Sequence, residues 1–277
     1  MLLLQSYDNY NWLAPYGYAI ILFGFVLYLF RVFENIYANQ FNKPFIRNYV
    51  VYKKLTDVQK SILNKDFSFY RQLSLKHQRQ FEHRVASFIS EKEFVGRDNL
   101  LVTERMKILV SAIGCMISFG RKNYSFTLID FILIYPEEFY STINDAYHKG
   151  EFNPKNRALV LSWKHFENGY QITNDNRNLG IHEYMHAMHL ESKQGSDIDS
   201  DRFSRQFQNI LQQLTKQEMK DKLISTKYFR DYAFTNQYEF MAVITEYFFE
   251  SPEEFKMLFP DLYEYTKKIL NFNFAGY

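Results

Sequence analysis

An uncharged apolar run near the N-terminus constrains the architecture of this chain more than any other feature. Residues 13–30, LAPYGYAIILFGFVLYLF, contain no charged side chain, and a helix of this length is just able to cross the hydrocarbon core of a bilayer. No Lys or Arg precedes the run, and no small-residue cleavage site follows it. A retained membrane anchor over 13–31 is therefore favoured over a cleaved signal peptide or a buried core helix.

The charges that flank this run predict its orientation. Basic side chains follow the run but do not precede it, at Arg31, Lys43, Arg47, Lys53 and Lys54. Because basic flanks are retained in the cytoplasm, we expect the N-terminus outside and the bulk of the chain inside. The predicted organisation is a single-pass membrane protein, with an anchor and juxtamembrane segment at 1–45 and one cytoplasmic domain at 46–277.

The charge balance and cysteine content narrow the functional classes. The chain has 33 basic and 31 acidic residues, a net charge of +2, so it lacks the basic excess of a nucleic-acid-binding protein. We expect no nucleic-acid partner. The single cysteine, Cys115, cannot form an intramolecular disulfide and lies in an apolar run typical of a buried, inert thiol.

The rest of the chain shows mainly helical periodicity, interrupted by two β-rich runs. Polar residues suited to cap helices precede three of the periodic segments, namely Thr56, Ser74 and Thr103. The β-rich runs are Phe126–Tyr135 and Ala158–Trp163, and helical character returns from residue 178 onward. We therefore predict an α+β domain that is mostly helical with a small sheet.

The segment HEYMH carries the strongest chemical signal. His182 and His186 are four residues apart in a helical context, with Glu183 directly after the first histidine. This spacing places both imidazoles on one helix face, where they can share a tetrahedral zinc ion while the carboxylate reaches a water on that ion. A surface helix with two idle histidines is the alternative, but the apolar residues Ile181, Met185 and Met188 form an opposite stripe that favours the metal site.

A catalytic zinc ion needs a third protein ligand. Position 192, where an extended motif would carry another histidine, is Ser192, so we expect a carboxylate from a later helix. Glu239 and Glu246 lie seven residues apart in an apolar context and are the candidates. Spacing alone does not choose between them, or between a ligand and a carboxylate at the wet edge of an amphipathic helix.

Several segments together resemble a known family. HEYMH, ALVLSWKHF, LIDFILIYPEEF, TERMKILVSA and YAFTNQYEFMAVITEYFFESPEEF are similar to the Mlc titration factor A family of zinc peptidases over about residues 68–265. That family is related to the catalytic domain of anthrax lethal factor, which implies a zincin-like fold. The resemblance implies that Glu239 is the third zinc ligand and that Tyr232 is an active-site tyrosine. The chain departs from the family pattern at His189, where an aspartate is usual.

These features predict a zinc-dependent peptidase with a peptide or protein substrate. Zn²⁺ would be held by His182, His186 and Glu239, with Glu183 as the general base for the attacking water and Tyr232 hydrogen-bonded to the oxyanion. We also expect the run Ala158–Trp163 to offer a sheet edge for an extended peptide. Two other readings stay open. One is a zinc-containing protein that sequesters a regulatory partner, such as a transcription regulator, at the membrane; the other is an anchored structural domain.

Overall fold

The computed structural model describes residues 12–41, 52–141, 145–172 and 174–277. The chain divides into two compact units, residues 1–48 and 49–277. The described part of the first unit is a single helix, α1 (Ala14–Phe41). Its segment Ala14–Phe33 has a mean hydropathy of 1.8 and is long and apolar enough to cross a membrane, a property that signal sequences near an N-terminus share. The flanking charges Lys43 and Arg47 lie outside the described residues.

The second unit is mostly helical with a small sheet, which confirms the predicted fold class. Its helices run in chain order as α2 (Asp57–Asp66), α3 (Ser68–Gln72), α4 (Leu75–Glu91), α5 (Glu104–Ile117), α6 (Trp163–Gln171), α7 (Leu179–Gln194), α8 (Ile198–Thr215), α9 (Gln217–Thr226), α10 (Gln237–Glu250), α11 (Pro252–Leu258) and α12 (Pro260–Leu270). A short 3-10 helix, Asp231–Phe234, precedes α10.

The predicted helix caps are confirmed. The hydroxyl oxygen of Thr56 accepts from the backbone N–H three residues later at the start of α2, and Ser74 and Thr103 do the same for α4 and α5. Each cap satisfies one of the backbone donors that a helix leaves unpaired in its first turn.

The strands are β1 (Glu93–Gly96), β2 (Phe131–Tyr135), β3 (Phe139–Ser141), β4 (Ala146–His148), β5 (Gly150–Asn153) and β6 (Ala158–Ser162). Four of them form one sheet in the order β1-β2-β6-β5, with β5 antiparallel to β6 and the other pairs parallel, while β3 and β4 form a separate antiparallel pair.

The prediction that Ala158–Trp163 offers a sheet edge is wrong. Strand β6 lies between β2 and β5, and all five of its residues are buried, as expected for an interior strand that is covered on both faces. Among the described residues, β5 occupies that edge of the sheet. The run also ends one residue early as a strand, because Ser162 caps α6 and Trp163 is already helical.

Aromatic rings fill much of the core around α7. The Tyr184 side chain is fully buried and packs against Phe88 and Phe126 with ring centroids 6.0 and 4.9 Å apart. It also lies so close to Gly114 of α5 that a Cβ there would be 2.9 Å from the ring. This contact fixes α5 and α7 against each other and thereby sets the position of the histidine-bearing helix.

Candidate metal centre

Helix α7 presents His182, Glu183 and His186 from a firmly held N-terminus. The side chain of Asn178 caps the helix by accepting from Ile181 N at 3.1 Å, and its amide group donates to Gly169 O and to Glu250 Oε1. The cap residue thus joins α7 to the end of α6 and to α10. Because the two histidines are one turn apart, their rings meet edge to face with centroids 4.7 Å apart.

Glu239 reaches this pair from the first turn of α10. Asn236 caps that helix and accepts from the backbone N–H groups of Tyr238 and Glu239. Glu239 Oε2 lies 2.9 Å from His182 Nε2, and Glu239 Oε1 lies 3.5 Å from His186 Nε2. The carboxylate therefore closes a triangle with the two imidazoles.

The three side chains suit a zinc ion. The Nε2 atoms of His182 and His186 are 3.1 Å apart, and one ligand atom from each of the three residues lies within 4.8 Å of the others. Two ligands of a tetrahedral zinc ion, each about 2.0–2.1 Å from the metal, are separated by roughly 3.3 Å. The observed separations bracket that value, and imidazole nitrogen and carboxylate oxygen are donors that zinc prefers.

The close approach of His182 and Glu239 shifts the pKa values of both side chains. Burial alone lowers the pKa of His182, but hydrogen bonds with Glu239 and Glu246 outweigh burial and raise it to about 10. Burial raises the pKa of Glu239, but hydrogen bonds from His182 and His186 outweigh it and leave the pKa well below its usual range. A partly buried anion that faces two imidazoles is a favourable environment for a cation.

Glu246, the other candidate ligand, lies on the opposite side of the His182 ring. It is 1% exposed, so the reading that placed it at the wet edge of the helix is wrong. Its Oε1 is 2.8 Å from His182 Nδ1 and 2.6 Å from Arg230 Nη2, and its Oε2 accepts from Asn178 N at 2.8 Å. Such a carboxylate fixes the orientation and tautomer of a histidine whose other nitrogen faces a metal.

Glu183 is buried beside the histidine triangle. Burial raises the pKa of its carboxyl group, an effect that the neighbouring histidines oppose, and the N–H of Phe152 donates to it. Gly150 of β5 packs directly against it, since a Cβ at Gly150 would be 2.7 Å from Glu183 Oε1. Strand β5 thus borders the site and holds this carboxylate in place.

Tyr232 lies on the 3-10 helix, next to His182. Its ring centroid is 5.9 Å from that of His182, and half of its side chain is exposed. Burial of the rest and the adjacent Glu239 carboxylate raise the pKa of its hydroxyl above the usual range. The hydroxyl is therefore protonated at neutral pH and able to donate a hydrogen bond.

A cleft opens next to the triangle. A cavity of about 370 Å³ is lined by His186 and Glu239 together with Phe152, Pro154, His189, Leu190, Lys193, Asn236 and Tyr238. Burial lowers the pKa of His189 to about 4, so its imidazole is neutral at pH 7. His189 does not join the three side chains that could hold a metal.

Four residues that shape the site were not predicted from the sequence: Asn178, Arg230, Gly150 and Phe152. An asparagine directly before a periodic segment is a helix-cap signal, so the role of Asn178 at the start of α7 could have been inferred. Arg230 has no sequence signal beyond its position near Tyr232. The two residues of β5 could not be assigned, since a four-residue strand is too short to show a periodicity.

Comparison with known proteins identifies the family of this chain. A family model described as glucose-regulated metallo-peptidase M90 matches residues 43–270, which confirms the resemblance to the Mlc titration factor A family. An uncharacterized protein of Synechocystis sp. (strain PCC 6803) is 27% identical over 226 residues, which cover 75% of this chain and 81% of that protein. The matched region contains every side chain of the candidate metal centre. The chain belongs to the M90 family of glucose-regulated metallopeptidases.

Proposed function

We propose that the protein is a membrane-anchored, zinc-dependent peptidase that hydrolyses peptide bonds. The observation that carries the proposal is the convergence of three donor atoms, from His182, His186 and Glu239, within 4.8 Å of one another beside a buried carboxylate. The family match supports a metallopeptidase. The cleft beside the three donors provides space for a peptide.

In this proposal His182, His186 and Glu239 hold the zinc ion, and Glu246 with Arg230 keeps the His182 ring in the required orientation. Zinc supplies Lewis acidity, which polarises the scissile carbonyl and makes water more acidic. Glu183 takes the proton of the attacking water at its carboxylate and passes it to the leaving amine.

Tyr232 stabilises the charge that develops on the carbonyl oxygen. Its protonated hydroxyl interacts with Glu239, and its ring lies next to that of His182. One well-placed donor to an oxyanion contributes about 3–4 kcal/mol to transition-state stabilisation in comparable enzymes. Since half of the side chain is exposed, the hydroxyl can turn toward a bound substrate.

Strand β5 is the element that we propose aligns the peptide. It is an edge strand among the described residues, Gly150 touches Glu183, and Phe152 lines the cleft beside His186. An extended peptide that pairs with an edge strand gains main-chain hydrogen bonds irrespective of its sequence. This edge replaces the interior strand β6 that the sequence had suggested.

We further propose that α1 anchors the domain, which faces the cytoplasm. The apolar segment Ala14–Phe33 is followed by basic residues and preceded by none, the pattern of a cytoplasmic C-terminal side. A reporter that works only in the cytoplasm should be active when it is fused after Tyr277. Activity of an exterior-specific reporter would contradict this orientation, and release of a shortened chain would indicate a signal sequence.

The decisive test measures metal and cleavage on the same full-length protein, purified in detergent. We expect about one zinc ion per chain, chelator-sensitive cleavage of a mixed peptide library, and a loss of turnover by orders of magnitude in Glu183→Gln with zinc retained. Near-normal cleavage by zinc-loaded Glu183→Gln would refute the role of the base. Zinc without cleavage of any peptide would favour a sequestering protein instead.

A further inference from the structure

A second cavity adjoins the cleft of the candidate metal centre. It has a volume of about 270 Å³ and lies between α7, α8 and the start of α10. Its lining residues are His189, Lys193, Phe203, Ser204, Phe207, Gln208, Gln237 and Tyr238. His189, Lys193 and Tyr238 line both cavities, so the second cavity adjoins the cleft that His186 and Glu239 line.

Aromatic rings dominate the walls of this second cavity. The His189 ring is surrounded by Phe203, Phe207 and Tyr238, with centroid separations of 5.0, 4.5 and 4.8 Å. The Phe203 and Phe207 rings belong to the core, which makes these walls rigid. A planar or branched apolar group that enters the cavity can pack against the edges and faces of these rings.

The polar lining residues lie at the rim. Ser204 and Gln208 are exposed on α8, and Lys193 is exposed at the end of α7. Among the described residues Lys193 forms no ion pair, so its ammonium group disfavours a basic side chain at the entrance. An apolar side chain avoids that repulsion and can pack along the aliphatic part of the lysine.

We infer that this aromatic pocket, defined by His189, Phe203, Phe207 and Tyr238, binds a large apolar or aromatic side chain of the substrate next to the scissile bond. The inference rests on the proposed peptidase function, because it assumes that the peptide is cleaved in the cleft that His186 and Glu239 line. Burial of one such side chain improves kcat/KM by about 10- to 100-fold over alanine at the same position.

Two substitutions on α8 test the pocket with a matched control. Ser204→Trp places an indole in the pocket from an exposed helix position, whereas Arg205→Trp adds the same ring at the neighbouring exposed position, which does not line it. Cleavage is measured with the full-length, zinc-loaded protein in detergent, on peptides that carry Phe, Leu, Ala or Lys on either side of the cleaved bond.

We expect the unsubstituted protein to prefer Phe or Leu over Ala at one of the two positions and to reject Lys there. Ser204→Trp should reduce that Phe-to-Ala preference by about tenfold or more, whereas Arg205→Trp should keep it. Equal cleavage of the Phe, Leu, Ala and Lys peptides at both positions, or equal profiles of the two variants, would overturn the inference while leaving the peptidase proposal intact.

A binding measurement separates the pocket from the chemistry. Calorimetric titration of Glu183→Gln with an uncleaved Phe peptide and its Ala counterpart should show tighter binding of the Phe peptide. Ser204→Trp in the same background should remove the difference. If the unsubstituted protein cleaves no peptide but binding still favours the Phe peptide, the peptidase proposal fails, and only the apolar preference of the pocket is supported, not its place beside a scissile bond. Equal binding of both peptides overturns the pocket assignment.

Discussion

Glu239 and Glu246 lie on one helix, yet alanine at Glu239 should mainly lower zinc affinity, whereas alanine at Glu246 should mainly lower stability. Glu246 has a 1% exposed side chain that interacts with His182, Arg230 and Asn178. Breaking a buried ion pair by removing one partner costs about 3–5 kcal/mol. Because 23% of the Arg230 side chain is exposed, we expect the lower value, about 3 kcal/mol, for metal-free Glu246→Ala.

Zinc affinity should respond in the reverse order. Loss of a carboxylate that orients a metal-bound histidine reduces metal affinity by about 10- to 100-fold, so Glu246→Ala should still bind zinc when the metal is in excess. Glu239→Ala removes a direct ligand and should lose zinc under mild chelator competition. Its metal-free stability should fall by less than that of Glu246→Ala, by about 2 kcal/mol, because a hydrogen bond to a charged group contributes about 1.5–3 kcal/mol.

Urea unfolding of the metal-free proteins and zinc content after dialysis against a chelator measure the two effects separately. Glu264→Ala, at an exposed position of α12, is the control and should match the unsubstituted protein in both assays. Retention of zinc by Glu239→Ala together with its loss from Glu246→Ala would reverse the proposed roles. Unchanged stability of metal-free Glu246→Ala would show that its buried contacts do not stabilise the fold.

Three further changes test the surroundings of the centre. Gly150→Ala would place a Cβ 2.7 Å from Glu183 Oε1, so the carboxylate must shift; turnover should fall at least tenfold, whereas zinc content, measured by atomic absorption, should not change. Tyr232→Phe should lower kcat more than it raises KM, and an effect on KM alone would make the residue a binding group. Burial raises the pKa of Glu250 to about 8, above its value in the unfolded chain. Its protonated form therefore contributes fully to stability below about pH 4, and this contribution is lost as the pH rises through 8. Urea unfolding of Glu250→Gln should therefore show a flatter pH dependence between pH 5 and 8, and an unchanged slope would refute this assignment.

Local signals in the sequence predicted the helices better than the sheet. A capping hydroxyl acts within its own first turn, so Thr56, Ser74 and Thr103 could be assigned from neighbouring residues alone. The β-rich run from Phe126 begins with a turn, in which Phe126 itself has a φ of 50°, and the strand starts only at Phe131. Apolar content alone does not reveal such a backbone conformation.

The candidate site shows the same limit at longer range. The spacing of His182, Glu183 and His186 follows from helix geometry and is readable in the sequence. The choice between Glu239 and Glu246 depends on which face of α10 meets α7 and on the position of Arg230, which are properties of tertiary packing. Spacing therefore left that choice open, and the family resemblance pointed to Glu239.

Helices α8 and α9 lie in the chain between His186 and Glu239, but neither contributes to the triangle of donors. The α8 helix forms one wall of the aromatic pocket, while α9 has no buried residue. Long insertions into loops cost little additional closure entropy. Helix α9 is thus a surface insertion whose sequence can change while the metal-binding geometry stays constant, whereas α8 is fixed by Phe203 and Phe207 in the core.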